Sequence, residues 1–175
     1  MTPQNIKLRS TRYDLPALFD ALRYEVGVEA GVQHGYYSRY ILEHSRIKRL
    51  YSVDPWDGRF GKFEADARHY LAQFEGRSEI IKARSDQAAQ TLRDNNVRLD
   101  FVYIDADHRQ YAVTHDIAAW LPLVRPGGML CGHDYVVAPR TGVIEAVDAF
   151  ASSKGWPLFL TSEPWASWII FVPEP

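Results

Sequence analysis

The chain has a single cysteine, Cys131, only two methionines, and no apolar run near the ~18 residues that span a bilayer. A lone cysteine forms no internal disulfide, and no cysteine-rich ligand pattern suggests a structural metal. Charge of one sign is also lacking. Twenty Lys and Arg face 22 Asp and Glu, a formal charge of −2, so there is no basic footprint for nucleic acid. The opening residues, Met1 to Lys7, have no apolar segment of the kind a secretory signal needs. Repeats, low-complexity tracts and linker-like stretches are absent. These absences point to a soluble, cytoplasmic chain whose 175 residues suit one domain with a full core. Hydrophobic residues make up 46%, which excludes a disordered chain. What stands out is aromatic content, 13%, with five Trp and ten Tyr.

Short apolar runs alternate with amphipathic stretches from residue 14 onward. The spacing predicts a helix over residues 14–22, with Asp14 as N-cap and Leu15, Leu18, Phe19 and Leu22 on one face. A strand over 24–30 follows, then a helix over 35–44, a strand over 50–54, a helix over 62–74 and a strand over 79–83. Residues 86–92 read as a short helix, 99–104 as an apolar strand, and 109–121 as a helix whose last turn Pro122 weakens. Pro126-Gly127-Gly128 makes a turn before a strand over 129–132. A helix over 142–152 precedes two strands, 158–161 and 168–172, joined by the hairpin-length loop 162–165.

This alternation with short connections argues for an α/β fold: an open, mostly parallel sheet with helices on both faces. The last two strands lack a helix between them, so at least one pair is antiparallel.

In such sheets ligands lie beyond the carboxyl ends of the strands, at the switch in strand order. The first strand ends in Glu29-Ala30-Gly31, and a glycine-bearing turn runs from there to Gly35 and opens a helix. Glycine at 31 permits a tight turn and close approach of a ligand. The second strand ends in Asp54, 23 residues after Gly31, near the ~20-residue spacing at which an acid meets ribose hydroxyls. The third supplies Ser85 and Asp86, which also suit a helix N-cap. The fourth supplies Asp105, Asp107 and His108, and the fifth His133, Asp134 and Tyr135. Polar and acidic residues thus close every strand of the parallel set. His44, His69 and His115 fall in helical stretches as surface residues, His34 lies in the ligand turn, and Cys131 reads as a small core residue.

Five segments carry a resemblance: Val28 to Gly35, Ser52 to Trp56, Phe101 to His108, Leu123 to Gly128, and Gly132 to Tyr135. In this order they are similar to class I S-adenosylmethionine-dependent methyltransferases, and most of all to the type 24 methyltransferases. The match covers residues 24–172. It implies a Rossmann-like, seven-stranded sheet with the last strand inserted antiparallel, in one methyltransferase domain over 1–175. Residues 1–23 would form an N-terminal helical segment and 24–172 the cofactor-binding core. It further implies that Glu29, Gly31 and the turn to Gly35 face the methionine part of the cofactor, with the acid serving its ammonium group. Asp54 would take the ribose hydroxyls, Trp56 would flank ribose or adenine, and Ser85 and Asp86 would approach the adenine. Asp105 would border the cofactor as well.

Asp105 and His108 are also similar to the Asp-x-x-His of metal-dependent sugar O-methyltransferases of macrolide biosynthesis. There the Asp and a later acidic pair bind magnesium while the histidine is the base. Here His133-Asp134 stands where two acids are expected. Magnesium prefers oxygen, so an imidazole at that place suits manganese, iron or zinc better, or a site that holds no metal. The resemblance therefore implies O-methylation of a small hydroxyl, with His108 as base, Asp105 and Asp134 as metal ligands, and Asp107 or His133 as a third. Two rivals stay open at this point. A nicotinamide oxidoreductase would use the same turn and Asp54, although Gln33 and His34 stand where a third glycine is needed. A silent binding module would keep the fold alone.

Little sequence remains for an acceptor lid: about two dozen residues before Tyr24 and the short segment 136–141, where Arg140 could meet an anionic acceptor. The missing walls could come from a second copy in a homodimer or larger homo-oligomer. Tyr36, Tyr37, Trp56, Tyr103, Tyr111 and Tyr135 fall beside the strand-end motifs. Trp156, Trp165 and Trp168 gather near the terminal hairpin, as core or as a subunit contact.

Overall fold

The computed structural model describes residues 5–139 and 141–174, so Arg140 lies outside the described residues. Eight strands form one sheet: β1 (Asn5–Lys7), β2 (Val26–Ala30), β3 (Arg49–Asp54), β4 (Ser78–Lys82), β5 (Leu99–Ile104), β6 (Val124–Tyr135), β7 (Leu158–Leu160) and β8 (Ala166–Phe171). Their spatial order is β1-β7-β8-β6-β5-β2-β3-β4. All pairs are parallel except those of β8, which is inserted antiparallel between β6 and β7. Six helices surround the sheet: α1 (Leu15–Ala21), α2 (Tyr36–His44), α3 (Glu64–Leu71), α4 (Ser85–Asp94), α5 (Gln110–Trp120) and α6 (Val143–Lys154).

The buried strands have two cores because alternate side chains point to opposite faces. Val102, Ile104 and Leu130 pack on one face with Ala88, Leu92, Val113, Ile117 and Val147 of α4, α5 and α6. Phe101, Tyr103, Met129 and Cys131 pack on the other with Phe19, Tyr37, Ile41 and Leu71 of α1, α2 and α3. The Cys131 thiol is fully buried and donates to the Val102 carbonyl at 3.2 Å, which fits a core residue. Trp168 is core too, Trp156 packs edge-on to Phe150, and Trp165 is exposed. The expected tryptophan cluster therefore divides between interior and surface.

Two expectations need correction. The sheet has eight strands rather than seven, because Asn5–Lys7 pairs with β7 at the edge. Three residues with no apolar alternation leave no trace in the sequence pattern. Strand β6 is also longer than 129–132. It takes in Pro126 to Gly128 and runs on to Tyr135, because β5 and β8 pair with it across register breaks at both ends. Asp134, at the second break, has φ 58°, a left-handed conformation that aspartate tolerates better than most residues. Elsewhere α5 stops at Trp120, and Pro122 sits in the 3-10 turn that follows, as proline chemistry requires.

Candidate active site

Strand β2 has β3 on one side and β5 on the other, so the chain reverses direction across the sheet at β2. That reversal opens a crevice at the carboxyl ends of β2 and β5. Gly31 turns there with φ 96°, and a Cβ on it would lie 2.1 Å from the Asp105 carbonyl oxygen. Only glycine lets the turn pass so close to the end of β5. The Asp105 amide in turn donates to the Ala30 carbonyl at 2.7 Å, which joins the two strand ends. Gly35, with φ 84°, starts α2 with its Cα face against Ala67 of α3.

Asp54 braces this turn from β3. Its Oδ2 accepts the Val32 and Gln33 amides at 3.0 and 2.9 Å, and its Oδ1 accepts the Trp56 amide at 2.8 Å. Trp56 is buried with Val32 and Ala67, and its indole N–H donates to the Gln33 carbonyl at 2.7 Å. Glu29, 2% exposed, accepts a short hydrogen bond from the Ser38 hydroxyl. Burial pushes its carboxyl up to about 8, opposed by Ser38 and by the nearby Arg12 guanidinium. A buried carboxyl of this kind is a ready partner for a cationic group.

At the start of α4, Ser85 is half-buried and accepts the Trp120 indole N–H at 2.8 Å, while Asp86 is exposed and faces Arg84. Behind Ser85 lies Asp116, 7% exposed, its carboxyl pushed up to about 6 by burial, with Asp86 and Asp107 adding to the shift and Ser85 opposing it. An acid raised above its unfolded value of ~3.9 favours folding most at low pH. Its contribution is lost as pH rises through ~4 to 6, by up to about 3 kcal/mol. The Asp116→Asn protein is therefore expected to melt higher than wild type above pH 6, and the gap should close towards pH 4. A gap independent of pH in calorimetric melts would remove the assignment.

The ends of β5 and β6 bring acids and imidazoles together. His108 Nε2 lies 2.9 Å from Asp134 Oδ2 and 3.3 Å from Asp105 Oδ1. His133 Nδ1 lies 3.3 Å from Asp134 Oδ1 and 3.9 Å from Asp105 Oδ2. One ligand atom each from Asp105, His108 and Asp134 falls within 4.8 Å of the others, the span of a single cation's donor set. The two carboxylates push His108 up to about 10, and despite its burial the imidazoles hold Asp134 well below the usual carboxylate range. Asp107 is not part of this group, because its carboxylate turns away to the Arg109 side chain and amide. His34 bonds Asp66 at 2.8 Å and packs on Phe63, while His44, His69 and His115 are exposed.

Sequence reasoning misses Arg12. It precedes α1, yet its guanidinium stacks over the Tyr37 ring at 3.9 Å and reaches Asp105 with Nη2 at 3.6 Å. The one local sign is the pair of aromatic residues beside the strand-end motifs, Tyr37 and Tyr103, whose rings pack together and offer a face that the guanidinium covers.

The glycine turn and the Asp-His-Asp cluster thus share the carboxyl edge of one Rossmann-like sheet. A family model described as a methyltransferase domain matches residues 28–135, well over half of the chain. The protein belongs to that family and is a class I adenosylmethionine-dependent methyltransferase, which sets aside the nicotinamide reading. Among curated proteins, none matches it. Solved structures do. An O-methyltransferase from Bacillus cereus in complex with SAH has a TM-score of 0.73 at 19% identity, over 93% of this chain and 80% of that one. The O-methyltransferase TomG from Streptomyces achromogenes, involved in tomaymycin synthesis and in complex with SAM, has 0.70 at 18%, over 93% and 79%. A Clostridium thermocellum protein, provisionally described as an rRNA methylase, has 0.70 at 14%, over 94% and 98%. At such identities the likeness speaks for the fold. Among the described residues, no helix is long and apolar enough to cross a membrane.

Proposed function

We propose that the protein transfers a methyl group from S-adenosylmethionine to a hydroxyl oxygen of a small acceptor, with a divalent cation assisting. The single observation that carries this reading is the convergence of Asp105, His108 and Asp134 at adjacent strand ends beside the glycine turn.

The residues fit the cofactor. A buried carboxyl at Glu29 suits an ammonium group, Gly31 gives close backbone approach, and Asp54 Oδ1 keeps a lone pair for a ribose hydroxyl. Trp56 acts on ribose or adenine through the shape of the turn, which its indole N–H holds. Ser85 and Asp86, at the start of α4, would border the adenine. The carboxylates of Asp105 and Asp134 with the imidazole of His133 would make a mixed oxygen-nitrogen set, which suits manganese, iron or zinc as well as magnesium and leaves His108 free as the base. When bound, the cofactor supplies an electrophilic sulfonium methyl and the cation lowers the pKa of a coordinated hydroxyl.

His108 does the proton chemistry. It is half-exposed at the mouth of the cleft and reaches both carboxylates. Between two carboxylates it holds its own proton. It reaches the neutral form that a base needs when another positive charge balances Asp105 and Asp134. The acids thus orient the imidazole and share its charge, and the exposed Tyr36 and Tyr111 are available to the acceptor. A second copy of the chain would complete the acceptor walls, and the near-neutral charge favours a small acceptor over RNA.

Turnover on a panel of sugars, phenols and carboxylates is expected to drop at least tenfold after chelation and to return with one of magnesium, manganese or zinc. His108→Ala is expected to lose about 10²–10⁴-fold, the usual worth of a general base. Full turnover after metal stripping would end the cation role, and methylation of an RNA transcript alone would replace the small acceptor.

A further inference from the structure

We propose that Arg12 is the anchor for the carboxylate of the cofactor's amino-acid end and forms, with Glu29, a paired site for the two opposite charges of that end. The inference rests on the cofactor reading above and extends it to a residue outside the motifs. An α-amino-acid end carries an ammonium and a carboxylate on one carbon, so its receptor needs an acid and a base a few ångströms apart. Glu29 is the buried acid at the end of β2. Arg12 is the base near it: its guanidinium lies over Tyr37, one residue before the Ser38 that bonds Glu29, and near the ring of Tyr103, the register partner of Glu29 in β5. Among the described residues no other Arg or Lys forms an ion pair with Glu29, Asp105 or Asp134.

The geometry of Arg12 is that of a group held ready. Its amide donates to Glu163 Oε1 at 2.8 Å in the loop before β8, and its carbonyl accepts the Tyr37 hydroxyl at 2.9 Å. The guanidinium lies over the Tyr37 ring at 3.9 Å with Tyr103 at 5.4 Å, which fixes its plane. Its Nε is buried and has no hydrogen-bond partner among the described residues. A buried charged donor without an acceptor is costly, so its presence calls for a ligand. Nη2 approaches Asp105 only to 3.6 Å, longer than a hydrogen bond. The Nε–Nη2 edge of arginine is one of its two bidentate faces for a carboxylate.

The test is calorimetric and needs no acceptor. Wild type and Arg12→Gln are titrated with S-adenosylhomocysteine and with its decarboxylated analogue, in which the carboxylate is replaced by hydrogen and the amine is kept. Wild type is expected to prefer adenosylhomocysteine on the order of 10- to 100-fold, the worth of charge-assisted hydrogen bonds. Arg12→Gln is expected to lose that preference while binding the analogue within about twofold of wild type. Arg12→Lys, which keeps the charge but not the fork, should fall between them. Equal weakening of both ligands in Arg12→Gln, or no preference in wild type, overturns the proposal. The wild-type comparison involves no substitution, so a folding defect cannot hide the answer. Failure of wild type to bind either ligand would instead strike down the cofactor reading, and this inference with it.

Discussion

Replacing Asp105 with alanine is expected to cut methyl transfer by about a thousandfold or more while leaving the protein folded. Three positive or ionisable groups converge on this one carboxylate: His108 at 3.3 Å, Arg12 at 3.6 Å and His133 at 3.9 Å. Removing it deletes half of the acid pair proposed to hold a cation and frees His108 to turn towards Asp134 alone. The link between β5 and β2 survives, because it is made by the Asp105 amide and the Ala30 carbonyl, which alanine keeps. Asp105→Asn is the sharper variant, since it preserves volume and one oxygen but removes the charge. Both variants should melt within a few degrees of wild type and lose affinity for the added cation. Turnover above about a tenth of wild type on the best acceptor would take Asp105 out of the reaction.

The second large effect falls on stability as well as on ligand binding. Asp54→Ala is expected to destabilise the protein by about 3–5 kcal/mol, because three backbone N–H groups lose their acceptor at once. At roughly 2–4 °C per kcal/mol for a chain of this size, the melting midpoint should fall by about 10 °C. Asp54→Asn offers no rescue. Its amide NH2 would face one set of N–H donors whichever way it turned, because Val32 and Gln33 donate to Oδ2 and Trp56 to Oδ1. An acid whose only task was to meet a ribose would leave the melting midpoint unchanged, so thermal melts without cofactor separate the two roles. Affinity for adenosylhomocysteine should fall in either variant, since the turn from Gly31 to Gly35 loses its brace.

What the sequence reveals and what it hides follow from the range of the interactions. The alternation of apolar runs and amphipathic stretches is local, and it places every parallel strand of the core as well as the antiparallel β8. Strand ends are local too, so Glu29, Gly31, Asp54, Asp105, His108 and Asp134 are legible in the chain by their positions alone. The N–H bracing by Asp54 is hidden, because it depends on how the turn folds back over β3. The course of β6 past Gly132 depends on β5 and β8, which lie far away in the chain. Asp107 resembles a ligand by position, yet a neighbour two residues on captures its carboxylate. Arg12 lies furthest out of reach. No motif surrounds it, and its backbone is fixed by a residue 151 positions later.

That last tether has a thermodynamic consequence. Arg12 sits between the edge strand β1 and α1, and its amide is pinned to the loop before β8. A ligand that engages its side chain therefore shares free energy with the docking of that loop and of the sheet edge. Coupling of this kind is reciprocal. Whatever loosens the edge, from a crowded tag to a change at Glu163, must weaken the ligand by the same factor by which the ligand tightens the edge.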